Sequence, residues 1–175
     1  MKTIKYELCS YSIEACHVAA RLGVDRVELC ASPAEGGVTP SLANIERACS
    51  IPGIDVSVMI RPRGGDFLYT DEEFQTMLRD ITHARRAGAT GVVFGILKAD
   101  GWVDIERTRQ LVEEAQGMET TFHRAVDMTA DYEQAIRDII STGCTRILTS
   151  GGYDKATEGI ANIERAVNIS QGRIE

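Results

Sequence analysis

The chain lacks any apolar run long enough to cross a membrane, and its first residues, Met1-Lys2-Thr3-Ile4-Lys5-Tyr6-Glu7, hold no stretch resembling a signal peptide. An excess of positive charge is missing too. Nineteen basic against 26 acidic residues leave a formal net charge of -7, a field that repels nucleic acid and anionic membrane alike. Local arginines can still override that average for a small anion. Cysteine is present without a pairing pattern: Cys9, Cys16, Cys30, Cys49 and Cys144 are odd in number and include no CxxC pair. Free thiols in a reduced, cytoplasmic protein are expected rather than a disulfide framework. No linker or low-complexity tract interrupts the 175 residues, so residues 1–175 are read as one domain.

What is there is an alternation. Short apolar runs at 4–9, 26–30, 55–60, 91–96, 119–123 and 146–149 predict strands. Amphipathic stretches at about 12–22, 41–50, 71–87, 104–115, 131–141 and 155–169 predict helices between them. Strict alternation implies parallel strands joined by helical crossovers. Thr70-Asp71-Glu72-Glu73 fits a capping box, and Asp104 and Asp131 are placed as helix N-caps. Gly23, Gly88 and Gly143 each end a helix just before a strand, where a left-handed backbone is wanted.

A doubly wound dinucleotide fold requires a glycine-rich fingerprint after its first strand, and Cys9-Ser10-Tyr11-Ser12 has none. Polar residues gather instead at the C-terminal ends of most strands: Glu7, Glu28, Arg61, Arg63, His123, Arg124, Thr149 and Ser150. A TIM-like (β/α) barrel collects its functional groups there. Six βα units are two short of closure, and Gly172-Arg173-Ile174-Glu175 reads as a helix end followed by the start of a seventh strand. The expectation is a truncated barrel with strands seven and eight missing and open edges at its first and sixth strands.

The first two strands end alike, in Glu7-Leu8-Cys9 and Glu28-Leu29-Cys30. A side-chain period of two puts each glutamate and cysteine on one face, with the leucines toward the outer helices. Two thiols and two carboxylates would meet near the barrel mouth if the strands are neighbours. Close thiolates suit a soft ion such as Cu(I); equally, cysteine is a small residue that fills interiors. Glu28 pointing inward needs a partner, and Arg61 is the expected one, as an ion-pair plug or as part of an anion site. Arg63, Gly64 and Gly65 after strand three, and Ser150 and Gly151 after strand six, offer cations and close backbone approach to a small anionic ligand. The Glu35-Gly36-Gly37 loop invites the same reading or that of a plain turn. His123 ends strand five, where it is either a general acid–base or a structural histidine, while His17 and His83 fall mid-helix.

Glu28-Leu29-Cys30, Glu35-Gly36-Gly37-Val38-Thr39-Pro40-Ser41, Ile60-Arg61-Pro62-Arg63-Gly64-Gly65-Asp66-Phe67, Thr121-Phe122-His123-Arg124-Ala125 and Leu148-Thr149-Ser150-Gly151 together resemble the CutC family of copper homeostasis proteins. The resemblance implies a TIM-like barrel, a cytoplasmic homo-oligomer, and Cu(I) ligands at Cys9 and Cys30. The residues leave a second function open: a lyase, isomerase or hydrolase acting on a small anionic metabolite, with Glu28, Arg61 and His123 as catalytic groups.

Overall fold

The structure, a computed structural model, describes residues 4–175; Met1–Thr3, at the head of the N-terminal stretch read above, lie outside the described residues. Six strands alternate with six helices: β1 Glu7–Ser10, α1 Ile13–Arg21, β2 Arg26–Leu29, α2 Leu42–Cys49, β3 Asp55–Met59, α3 Asp71–Ala87, β4 Gly91–Phe94, α4 Ile105–Ala115, β5 Glu119–Phe122, α5 Tyr132–Thr142, β6 Arg146–Ile147 and α6 Ile160–Ser170. The strands form one sheet in sequence order, and every pair is parallel. Helical crossovers between adjacent parallel strands curl the sheet into a half-barrel of TIM type. No pairing of β1 with β6 occurs among the described residues.

Local sequence explains the element ends. Thr70 Oγ1 accepts from Glu73 N while Glu73 Oε2 accepts from Thr70 N, so the capping box is complete. Asp104 and Asp131 cap α4 and α5 as expected, accepting from Arg107 N and Gln134 N. At the far ends, Gly88 (φ 93°) and Gly143 (φ 89°) take the left-handed conformation that a β-carbon disfavours. Helix α6 begins at Ile160, later than expected, because Lys155–Gly159 turn on themselves and Gly159 supplies no side-chain cap. Beyond α6, Glu175 N donates to Thr145 O and Ile147 N donates to Glu175 O. That is a parallel ladder on β6, as expected of a nascent seventh strand.

Two interiors result from the period of two. Outward residues such as Val27, Leu29, Val58, Val92, Phe94 and Phe122 join Phe74, Met77, Ile81 and Ala84 of α3 in the main core between sheet and helices. Leu29 meets the helices as expected, but Leu8 on the edge strand stays 41% exposed. Inward residues Cys30, Met59 and Val93 form a small separate cluster. Below it lies an ion network. Buried Arg26 contacts Glu7 and, at 3.2 Å, Glu119; Arg146 reaches Glu119 at 2.7 Å and Glu175 at 3.7 Å. Arg146's hydrogen bond holds Glu119 below the usual carboxylate range.

Removing one member of a buried ion pair costs about 3–5 kcal/mol. Because Glu119 keeps a 41% exposed side chain, Arg26→Ala is expected to lose nearer ~2 kcal/mol. Urea melts of the two proteins at pH 7 measure this, and a midpoint within error of wild type would show that the network contributes nothing.

Candidate functional site

Register decides which inward groups meet. Cys9 lies opposite Glu28, and Glu28 opposite Ser57, while Glu7 lies opposite Arg26. Glu7 is therefore drawn into the ion network, and the expected group of two thiols and two carboxylates becomes two thiols and one. The Sγ atoms of Cys9 and Cys30 are 4.0 Å apart, and Cys30 Sγ lies 3.4 Å from Glu28 Oε1. One ligand atom from each of Cys9, Glu28 and Cys30 falls within 4.8 Å of the others. Cys9 is exposed, being on the sheet edge, whereas Cys30 and Glu28 are buried.

Proximity sets the charges. The Cys30 thiol beside it lowers the Cys9 pKa to about 6, against the opposing effect of burial. Cys30 is correspondingly held in its protonated form by the Cys9 sulfur, with burial adding to that. Burial raises Glu28 to about 7, and the neighbouring Cys9 thiolate adds to it. The cluster thus stores exchangeable protons near neutrality. The remaining cysteines are free thiols, and burial pushes Cys49 and Cys144 each up to about 11.

The expected Glu28–Arg61 ion pair is not formed among the described residues. Arg61 sits at the mouth, well above the level of Glu28, and its guanidinium is clamped by backbone. Nη1 donates to Glu35 O at 2.7 Å and Gly37 O at 3.0 Å, and Nη2 donates to Gly65 O at 2.7 Å. It therefore ties the two glycine loops together, while its guanidinium carbon lies 4.9 Å from the Phe67 ring centre. Arg61 Nε is buried with no hydrogen-bond partner among the described residues. Arg63 is occupied by Glu73 of α3 at 2.6 Å and, within its own loop, by Asp66 and the carbonyls of Gly64 and Leu68.

The loop after β6 does cradle an anion, and the anion is internal. The Asp127 carboxylate accepts from Thr149 Oγ1, Ser150 N and Oγ, Gly152 N and Arg124 Nε, all within 3.2 Å. Burial would raise its pKa, but those donors, Thr149 first, hold it below the usual range. Gly151 N turns instead to Thr149 Oγ1. Asp127 is the part of this motif that the sequence does not disclose, because its partners in the β6 loop lie more than twenty residues away.

His123 is 4% exposed. Its Nδ1 accepts from Ala125 N at 3.2 Å, which places the imidazole proton on Nε2, and that atom is buried without a partner. Burial, helped by the Arg61 cation, lowers its pKa to about 3. The ring leans across Gly95, where an added β-carbon would stand 2.6 Å from Nδ1 and Cε1. A glycine inside a strand pattern is a known mark of such close approach, so Gly95 was legible in principle. By contrast, His17 and His83 are exposed on their helices.

A neutral buried histidine has a simple linkage. Its folded pKa lies below the unfolded value near 6.5, so between pH 6.5 and about 3 the unfolded chain binds more protons. Stability from this group is full above pH 6.5 and is lost as pH falls, by up to ~1.4 kcal/mol per pH unit. His123→Gln is expected to flatten the acid side of the stability profile between pH 6.5 and 4 relative to wild type. Parallel profiles in chemical denaturation would refute the assignment.

With the geometry described, its relatives are clear. A model of the CutC family matches residues 4–175. Family protein CutC of Glaesserella parasuis is 45% identical over 98% of this chain and 71% of its own length. That of Bacteroides thetaiotaomicron is 47% identical over 99% and 70%, respectively. A crystal structure of CutC from Streptococcus agalactiae, described as a candidate copper homeostasis protein, superposes with a TM-score of 0.92 at 36% identity, covering 99% of this chain and 86% of that one. An aldolase superposes with a TM-score of 0.71 at 16% identity and shares the fold alone. No helix among the described residues is long and apolar enough to cross a membrane. The chain belongs to the CutC family.

Proposed function

We propose that this chain takes part in copper homeostasis and binds Cu(I) as cargo through Cys9 and Cys30. The observation that carries this reading is the 4.0 Å separation of the two sulfurs on neighbouring parallel strands. Metal–sulfur bonds of about 2.3 Å, as at zinc, let two sulfurs up to ~4.6 Å apart reach one ion. The donor set fits a soft monovalent ion: two thiol sulfurs, with one carboxyl in reach and no imidazole. Cys9 on the exposed edge gives the ion its entry, and Glu28 stands where a proton leaving Cys30 can be received. A reduced, cytoplasmic setting and a homo-oligomeric assembly go with this reading, since free thiols persist there.

Competition against a Cu(I) chelator under reducing conditions tests it. Tight one-to-one binding is expected, falling roughly 100-fold or more in the Cys9→Ser, Cys30→Ser double variant, beyond the 10–100-fold that losing an outer-shell partner costs. Unchanged affinity in a folded double variant would end the thiol assignment.

A second reading is favoured by a separate observation, the buried and unpartnered Arg61 Nε and His123 Nε2. A copper-binding thiol pair has no need of them. They suit a barrel enzyme of the lyase, isomerase or hydrolase class acting on a small anionic metabolite, with Arg61 binding it and Glu28 or His123 moving a proton.

A further inference from the structure

The thiol pair is built for a second chemistry that needs no metal. Cys9 and Cys30 lie on neighbouring strands with their sulfurs 4.0 Å apart. Cys9 is opposite Glu28, and Cys30 N donates to Ser10 O, so Cys30 stands one inward step above Glu28 and diagonal to Cys9. The two sulfurs differ in access. Cys9 is exposed on a strand with a single neighbour, whereas Cys30 is 3% exposed. A solvent-accessible thiol poised beside a second one is the arrangement in which the first meets an oxidant and the second resolves the product. The other three cysteines lack that exposure: Cys16 and Cys144 are buried and Cys49 is half-buried.

Bringing the sulfurs from contact to the roughly 2.05 Å of a disulfide requires one strand to move toward the other. Strand β1 can make that move. It spans only Glu7–Ser10 and pairs with β2 alone. Its outward residue Leu8 is 41% exposed, so packing against the helices holds it weakly. Strand β2 is the fixed side, anchored in the main core by Val27 and Leu29. Cysteines set diagonally on adjacent strands bridge under tension, and strained or exposed disulfides are the readily reduced kind. The geometry therefore favours a bond that opens again over a permanent staple.

We propose that Cys9 and Cys30 form a reversible intrachain disulfide on meeting a hydroperoxide, with Cys9 as the reacting thiol and Cys30 as the resolving one. In the first step the Cys9 sulfur attacks the terminal peroxide oxygen and the O–O bond breaks. Cys9 becomes a sulfenic acid, and the departing alkoxide or hydroxide takes the thiol proton and leaves as alcohol or water. In the second step the Cys30 sulfur attacks the Cys9 sulfur and the S–O bond breaks. Hydroxide leaves with the Cys30 proton as water. Two thiols are oxidised to one disulfide, and one peroxide is reduced. The bond uses both sulfurs assigned above to Cu(I), so oxidation and metal binding exclude one another; that consequence alone rests on the copper reading.

The test treats the reduced, metal-free full chain with hydrogen peroxide and follows free thiols, intact mass and fragmented peptides. The five free thiols are expected to fall to three, with the chain two hydrogens lighter, Cys9 joined to Cys30, and dithiothreitol restoring all five. Cys30→Ser is expected to stop at a Cys9 sulfenic acid that dimedone traps, and Cys9→Ser to lose thiols about tenfold more slowly than wild type. The proposal falls if folded wild type loses thiols no faster than Cys9→Ser. It falls equally if Cys9 links to a second chain on a non-reducing gel, or if wild type holds as much trappable sulfenic acid as Cys30→Ser. Anaerobic Cu(I) competition on the oxidised chain, after peroxide is removed, separates the two readings. A Cys9–Cys30 disulfide with Cu(I) binding unchanged supports the disulfide and overturns the copper assignment; Cu(I) held by the pair with no disulfide forming overturns the disulfide alone.

Discussion

Parallel register is the constraint from which the rest of this structure follows. Once Leu8 pairs with Val27 and Val27 with Val56, the period of two assigns every other residue to the inside of the curl. A slip of one residue between β1 and β2 would turn Arg26, Glu28 and Cys30 into the helix layer and bring Val27 and Leu29 inside. The apolar face forbids that slip, because Val27 and Leu29 are almost wholly buried against the helices. Hydrophobic burial on the outside of the sheet thereby fixes the chemistry on its inside.

That interior holds more ionisable groups than an apolar core tolerates, and each is accommodated differently. Arg26 is paired with carboxylates. Arg61 is held by carbonyl dipoles, which solvate its charge without cancelling it. His123 is kept neutral by burial, and Glu28 is pushed toward its protonated form. Only the first of these is a plain structural solution. A cation left uncancelled beside a neutral imidazole, and a carboxyl raised by burial beside two thiols, mark these two places as the candidate sites of the interior.

The architecture was legible because it is written in local terms. Alternating runs, the Thr70–Glu73 capping box and the glycines at 88 and 143 each depend on residues within a few positions of one another. The Cys9–Cys30 approach was also legible, since strand adjacency and period suffice to predict it. Partnerships across the sheet were not. The pairing of Glu28 with Arg61 was inferred from opposite charge near two strand ends, and it failed because level matters more than proximity to an end. The glycine loop after β6 reads as an anion site or as a plain turn; it is closed on Asp127, a residue of the preceding βα unit whose side chain no sequence pattern directs there. Tertiary hydrogen bonding, unlike capping, leaves no short-range trace.

The two candidate chemistries occupy different parts of the curl. The thiol pair lies at the first edge of the sheet, where β1 has one neighbour and Cys9 meets solvent. The Arg61–His123 level spans β3 to β5, flanked on both sides by further strands. A net charge of -7 favours a cation at the first and opposes an anion at the second, yet distance decides how much. Surface charges beyond the roughly 8 Å screening length at physiological salt are felt weakly, whereas a unit charge 4 Å from Arg61 gains about 4 kcal/mol at an effective dielectric of 20. The acidic surface therefore acts on an anion's approach more than on a close ion pair with Arg61. The same surface charge opposes no small cation at the edge, so the acidic field weighs differently on the two chemistries.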